Sequence, residues 1–198
     1  MLEQLRKLFA RKRVADLSSV DPQFRRRTHT GVDWSGHAFA HFVPVGCRFE
    51  RCNFSNAVFL QGCFGGGLED SIYIDCTFDR ATITAIAPGN ARFVSCTFRD
   101  VEIVAFFARS VEMVDCEFSG VIRKAFFNGT VPADRASGLK RTRNAFEGND
   151  FSKARLVDVG FRTGINLKLQ KLPPGWKNED LTLRPALPSS RRVGDLER

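Results

Sequence analysis

A Cys-x-Phe pair recurs at Cys47/Phe49, Cys52/Phe54, Cys76/Phe78, Cys96/Phe98 and Cys116/Phe118. The first two pairs are five residues apart, and the last three follow one another at twenty. Between them a small or apolar residue, followed two positions on by a larger one, returns every five residues. Ala81/Ile83, Ile86/Pro88, Ala91/Phe93, Val101/Ile103, Phe106/Ala108, Val111/Met113 and Val121/Arg123 carry the frame onward from Cys76, with Pro88, Ala108 and Arg123 poor occupants of the larger slot. A period of five is neither the 3.6 of a helix nor the 2 of a long strand. It suits a chain that runs two or three extended residues and then turns. Residues two apart in an extended segment share a face, so both members of each pair point to one side. Four such sides make a lap of twenty, and each lap stacks on the last at ~4.8 Å, which turns like residues into interior ladders.

The frame also runs upstream through Val32/Trp34, His37/Phe39, Phe42/Pro44, Ala57/Phe59 and Gly62/Phe64. It slips by one residue at Gly65-Gly66-Gly67, where a tightened corner is expected, and passes through Gly66/Leu68 and Ser71/Tyr73 into Cys76. After Phe126/Asn128 it breaks. Residues 129–143 read as a polar loop, and the frame resumes at Asn144/Phe146, Asn149/Phe151, Ala154/Leu156, Val159/Phe161 and Gly164/Asn166. The composition agrees with one recurring packing environment: 19 Phe stand against 2 Trp, 1 Tyr and 2 Met.

The segments CRFER-CNFSN-AVFLQ (residues 47–61), CTFDR-ATITA (76–85) and NDFSK-ARLVD (149–158) resemble the pentapeptide-repeat family. Its motif is approximately A-(D/N)-L-x-x, with Cys or Val often replacing Ala and Phe replacing Leu. The resemblance covers roughly residues 32–128 and 144–167. It implies an all-β fold, a right-handed quadrilateral β-helix, with the handedness coming from the resemblance alone. Some members of that family mimic B-form DNA, bind gyrase and confer quinolone or topoisomerase-toxin resistance. They tend to dimerise through a C-terminal helix.

Three segments follow from this reading: a basic N-terminal cap at 1–31, the repeat at 32–167 interrupted at 129–143, and a Pro-rich C-terminal segment at 168–198. A stacked rod has two ends that must be covered. Leu2, Leu5 and Phe9, with Leu8 beside them, fall at helical spacing and predict a short amphipathic helix over 2–13 that caps the first coil or meets a partner. A basic helix on an anionic membrane surface is the competing reading. Pro173, Pro174, Pro185 and Pro188 make the C-terminal segment irregular; Leu167, Leu169, Leu172 and Trp176 are expected to fold back over the last coil, and the chain beyond about Leu187 to be disordered.

Charge divides along the same lines. The chain carries +8, with +5 in residues 1–31, −3 in 32–130 and +6 in 131–198. A DNA mimic needs a strongly negative surface, which this distribution does not supply. Arg6, Lys7, Arg11, Lys12 and Arg13 interrupt the apolar N-terminal residues, so no signal peptide is read there, and no segment is long and apolar enough to span a bilayer. The expected compartment is the cytosol, where thiols stay reduced.

Candidate chemistry resolves mostly into packing. Cys76, Cys96 and Cys116 lack zinc-ligand or redox spacing, and in stacked laps they sit a strand spacing apart, too far for a disulfide. They are read as small buried apolar residues, whereas Cys63, between Gly62 and Phe64, should face outward. His37 is expected inward beside Trp34 and Phe39, and His41 at a corner; with His29 they form no metal set. Asp75, Asp79, Asp100, Glu102, Asp115 and Glu117 fall on a convex solvated wall. No nucleophile–base pair or phosphate loop is visible, so neither an enzyme nor a cofactor is expected. The 129–143 loop carries Arg135, Lys140, Arg141 and Arg143 against Asp134 alone, and these four are the candidate partner-binding residues. The expectation is a non-catalytic, rigid binding module for a protein partner. Gyrase or toxin protection, and binding of nucleic acid or an anionic surface through the basic ends, are the alternatives; the sequence sets no oligomeric state.

Overall fold

The computed structural model describes residues 24–177 and the backbone of Val14–Ala15. The expected helix at 2–13 and the tail beyond Lys177 lie outside the described residues. The rod is a β-solenoid whose strands pair in parallel. One ladder joins Thr28–Thr30, Arg48–Glu50, Ser71–Ile74, Ala91–Val94, Glu112–Val114 and Phe146–Glu147. A second joins Val14–Ala15, Ala38–Phe39, Val58–Phe59, Thr82–Thr84, Thr97–Val104, Glu117–Asn128 and Asp150–Arg162, with Phe107–Ala108 pairing Glu117–Asn128. The last long strands run around corners, which ties neighbouring sides into one sheet. We name the four sides after their second-lap residues: the Phe49, Phe54, Phe59 and Phe64 faces. Among the described residues, no helix is long and apolar enough to cross a membrane.

Why five residues make one side is visible in the backbone. Two alternate residues point inward, and the next corner is turned by a residue in the left-handed region. Between the Phe49 and Phe54 faces that residue is Arg51, Asp75, Ser95, Asp115 and then Gly148, with φ of 51°, 52°, 52°, 53° and 70°. The interior is filled by rings in register. On the Phe54 face Trp34, Phe54, Phe78, Phe98, Phe118 and Phe151 stack with successive centroids 5.1, 4.9, 4.8, 4.8 and 4.3 Å apart. On the Phe49 face Phe49, Tyr73 and Phe93 stack at 4.7 Å, and the Tyr73 hydroxyl donates to Phe64 O at 2.8 Å. These separations are the strand spacing, so the side-chain ladders and the backbone ladders share one period.

The slips have simple causes. Phe49 pairs with Tyr73 and Phe59 with Ile83, each twenty-four residues on, while Tyr73–Phe93 and Ile83–Ile103 are twenty apart. Residues 66–69 are therefore four extra residues bulging from a corner. In a five-residue frame, four extra look like a slip of one. Leu68, expected inward, is 62% exposed. A second slip lies at Gly120, opposite Val101, where φ is +90° and a Cβ would stand 2.4 Å from the Val101 carbonyl oxygen. One residue is lost there, since Phe98 pairs with Phe118 but Ile103 with Ile122. Beyond it Ile122, Ala125 and Phe127 point inward instead of Val121/Arg123 and Phe126/Asn128. The shift corrects the misfit of Arg123, which lies exposed with Nη2 2.6 Å from Glu102 Oε1.

The ends also differ from the spacing. Phe24 is buried and His29 stacks on Phe49 at 5.1 Å, so the packed rod begins ahead of Val32. His29 adds an inward ring there; His37, level with the inward Ala57, is half-buried beside Phe39, with ring centroids 6.2 Å apart and Nδ1 3.2 Å from Ser35 O. At the other end Gly164 and Asn166 are exposed, and Ile165, Leu167, Leu172 and Trp176 pack on the core, while Leu169 turns outward at 49% exposure. Trp176 meets Phe161 edge-on at 5.4 Å.

Candidate functional site

The two insertions meet. Residues 129–143 are not wholly irregular: Ala133–Leu139 form a short helix, α1, and Val131 N donates to Thr142 O at 2.9 Å at the base. The segment folds back along the corner between the Phe64 and Phe49 faces onto the 66–69 bulge. Gly138 packs against Leu68, where a Cβ would come within 2.9 Å of its Cδ2. Arg141 fastens the strap. Its Nη1 donates to Asp70 Oδ2 at 2.7 Å, its Nη2 to Ser110 O at 2.9 Å, and its Nε is 3.9 Å from Glu112 Oε1. Asn144 Nδ2 donates to Arg109 O and Asn128 O at 3.1 and 2.9 Å. Burial pushes the Asp70 carboxyl above the usual range although Arg141 pulls it down.

The four loop residues named from sequence are thus separated in role. Arg141 is held under the strap among carboxylates, and its guanidinium serves the fold. Arg135, Lys140 and Arg143 are exposed. Arg135 Nη1 lies 3.5 Å from Asn90 Oδ1, beside the Phe64 face; Arg143 sits against Gly164.

A feature not singled out from sequence lies on the outer side of the Phe64 face. The outward row there reads Val43, Cys63, Ala87, Phe107, Phe126 and Gly160. The hydrogen bonds of Cys63 N to Phe42 O, Phe107 N to Ile86 O and Phe126 N to Phe106 O set the neighbouring rungs. Phe107 is 43% exposed and stacks on Phe126 at 5.3 Å and 25°. Arg162 lies on the other side of Phe126, its guanidinium carbon 4.1 Å from the ring centroid, a cation–π contact. Just past the short strand Phe107–Ala108, two residues on from Phe107, Arg109 is exposed. Arg109, Asn128 and Arg162 make a row parallel to the aromatic one, and Arg135 prolongs it from the strap. Among the described residues, none of Arg109, Arg135, Arg143 and Arg162 ion-pairs with a carboxylate. The signal for this site was the one-residue loss at Gly120: without it Phe126 reads as core.

The cysteines form a ladder one rung longer than their even spacing shows. The bulge separates Cys52 from Cys76 by twenty-four residues, yet they share the column with Cys96 and Cys116. Each thiol donates to the carbonyl two residues back, at 3.5, 3.4, 3.4 and 3.4 Å. Burial pushes the Cys96 thiol well up, as expected of a packing residue. Cys63 faces outward and is half-buried; burial raises its thiol against the opposing charge of Arg135. A cavity of about 250 Å³ near the first rungs is lined by Arg25, Arg26 and Val45, and Arg26 is paired there with Glu69.

No family model matches the chain, and no curated protein matches it. Among solved structures, the chain is similar to a trypsin-treated variant of QnrB1, a plasmid-mediated fluoroquinolone resistance protein, at 13% identity over 76% of this chain and 79% of that one, with a TM-score of 0.29. Full-length QnrB1 aligns at 14% identity over 80% and 94%, with a TM-score of 0.23.

Proposed function

We propose that this chain is a non-catalytic solenoid of the pentapeptide-repeat type that holds another macromolecule on its Phe64 face. The supporting observation is the Phe107–Phe126–Arg162 stack. It places two phenylalanines outside a rod in which the other described phenylalanines are buried, beside arginines free of described carboxylates. Apolar rings with adjacent cations are what recognition surfaces concentrate. The regular Phe54 face offers the contrast. Its outward charges already pair with one another, as in Arg99–Glu117 at 2.6 Å and Lys153–Glu117 at 3.7 Å.

Affinity capture from extracts of the source cells tests this reading. The wild-type chain and an Arg99→Ser control are expected to recover the same partner, and Phe107→Ser with Arg109→Ser to lose it. Equal recovery by all three would reject the face. Gyrase protection by DNA mimicry draws little support, because the wall carboxylates Glu102, Glu112, Glu117 and Asp150 have cationic partners. An unchanged supercoiling reaction with the protein in excess would end it.

A further inference from the structure

The Phe64 face carries two parallel rows with a gap in one of them. In the apolar row Ala87 stands between Cys63 and Phe107, and it is exposed. One side of the Phe107 ring is covered by Phe126; the other faces the Ala87 rung. Rungs are ~4.8 Å apart, so a rung filled only by a methyl group leaves room for about one planar ring above Phe107. Two residues on from Cys63 and Ala87 the rungs are packed backbone to backbone: a Cβ on Gly65 would meet Asn90 O at 1.9 Å, and one on Gly89 would meet Gly65 O at 2.1 Å. Arg109 follows Phe107 just past the end of its strand, and Arg135 approaches from the strap, near Asn90 and Cys63. Further along the axis come Asn128, Arg162 and Arg143.

We infer that this face binds single-stranded nucleic acid, with a base stacked on the open side of Phe107 over Ala87 and the phosphates following the arginine row. The inference rests on the reading that the Phe64 face holds a macromolecule, and it specifies the chemistry of that macromolecule. A stacking platform beside a cationic track is the arrangement that sequence-tolerant single-strand binding needs. Charge alone would suit an acidic protein equally well. The open ring face and the one-rung slot favour a polyanion that also carries a flat aromatic group at each repeat.

The test is fluorescence anisotropy at low salt with fluorescein-labelled oligothymidylate, its RNA counterpart and an abasic strand of the same length. The wild type is expected to bind the base-bearing strands, with affinity falling as salt rises by roughly 0.7 log units per log unit for each phosphate contacted. Phe107→Ala should weaken binding about tenfold, in the range of one lost base stack, and leave the weak abasic binding unchanged. Arg109→Ala should weaken all strands and flatten the salt dependence by about one contact. Because Phe107 lies outside the core, far-ultraviolet circular dichroism should match the wild type; Arg109→Ala is the independent variant if it does not. Equal binding of abasic and base-bearing strands, or indifference to both substitutions, overturns the inference. If the strands do not bind while cell extracts yield a protein that Phe107→Ser with Arg109→Ser loses, the face stands and its nucleic-acid assignment falls. If neither oligonucleotide nor extract responds to those substitutions, both fall.

Discussion

The Phe54 and Phe64 faces are built from the same five-residue unit and present different exteriors. The Phe54 face is regular: six rings stack inside it, and charged residues outside it pair locally. The Phe64 face borders both insertions and follows the residue lost at Gly120. It carries Phe107 and Phe126 outward and keeps its arginines clear of described carboxylates. Strict repetition yields packing, because every slot sees the same neighbours. Departures from repetition place a side chain where the ladder does not consume it.

Substitutions can break this contrast, beginning with the core. Phe98→Ala removes the middle of the Phe54 ladder and should cost about 3–5 kcal/mol by chemical denaturation. Phe107→Ala should stay within about 1 kcal/mol, since its ring is largely outside. A comparable loss at both positions would mean that Phe107 is core. Next comes the strap. Arg141→Ala leaves Asp70 without its ion-pair partner and Glu112 with Arg92 alone, in a partly enclosed site, and should cost about 2–3 kcal/mol and open residues 129–143 to protease. Unchanged proteolysis would place the fastening elsewhere.

Tyr73, the one tyrosine, sharpens the account of the interior. Burial pushes its phenol well above the ordinary value of about 10. The unfolded chain therefore loses its proton first as pH rises. Stability from this group is intact below about pH 10 and declines above it, by up to about 1.4 kcal/mol per pH unit. Tyrosinate absorbance should appear only as the circular dichroism of the fold is lost; ionisation near pH 10 with the fold intact would show the ladder open to water. The smallest effect is expected at Arg99→Ala on the outer Phe54 face, whose denaturation midpoint should stay at the wild-type value, because the guanidinium is exposed and its ion pairs are screened by solvent.

Most of the fold could be read from spacing because each inward slot recurs. The readings that shifted did so where chain length per lap changes. Spacing modulo five cannot distinguish one residue lost from four gained, so Leu68 reads as an inward residue, and the even twenty-residue spacing of Cys76, Cys96 and Cys116 does not extend to Cys52. Nor does spacing register a lost residue at Gly120 when Val121 and Phe126 are apolar enough to continue the frame. The candidate site depended on that slip. In the strap, composition showed four cations and could not separate Arg141, which faces Asp70 seventy-one residues away in the chain, from Arg135, Lys140 and Arg143. The partner carboxylate is supplied by the other insertion, and only the stacked laps bring the two together.

The central claim is that this rod engages its partner through the Phe64 face. Hydrogen exchange read by mass spectrometry, with and without oligothymidylate, tests it most directly. Added protection confined to segments 86–90, 107–110 and 126–129 and to the strap at 133–141 is predicted, with 76–80 and 96–100 on the Phe54 face unchanged. Protection of the Phe54 segments, or none on the Phe64 face when the strand is bound, would contradict it.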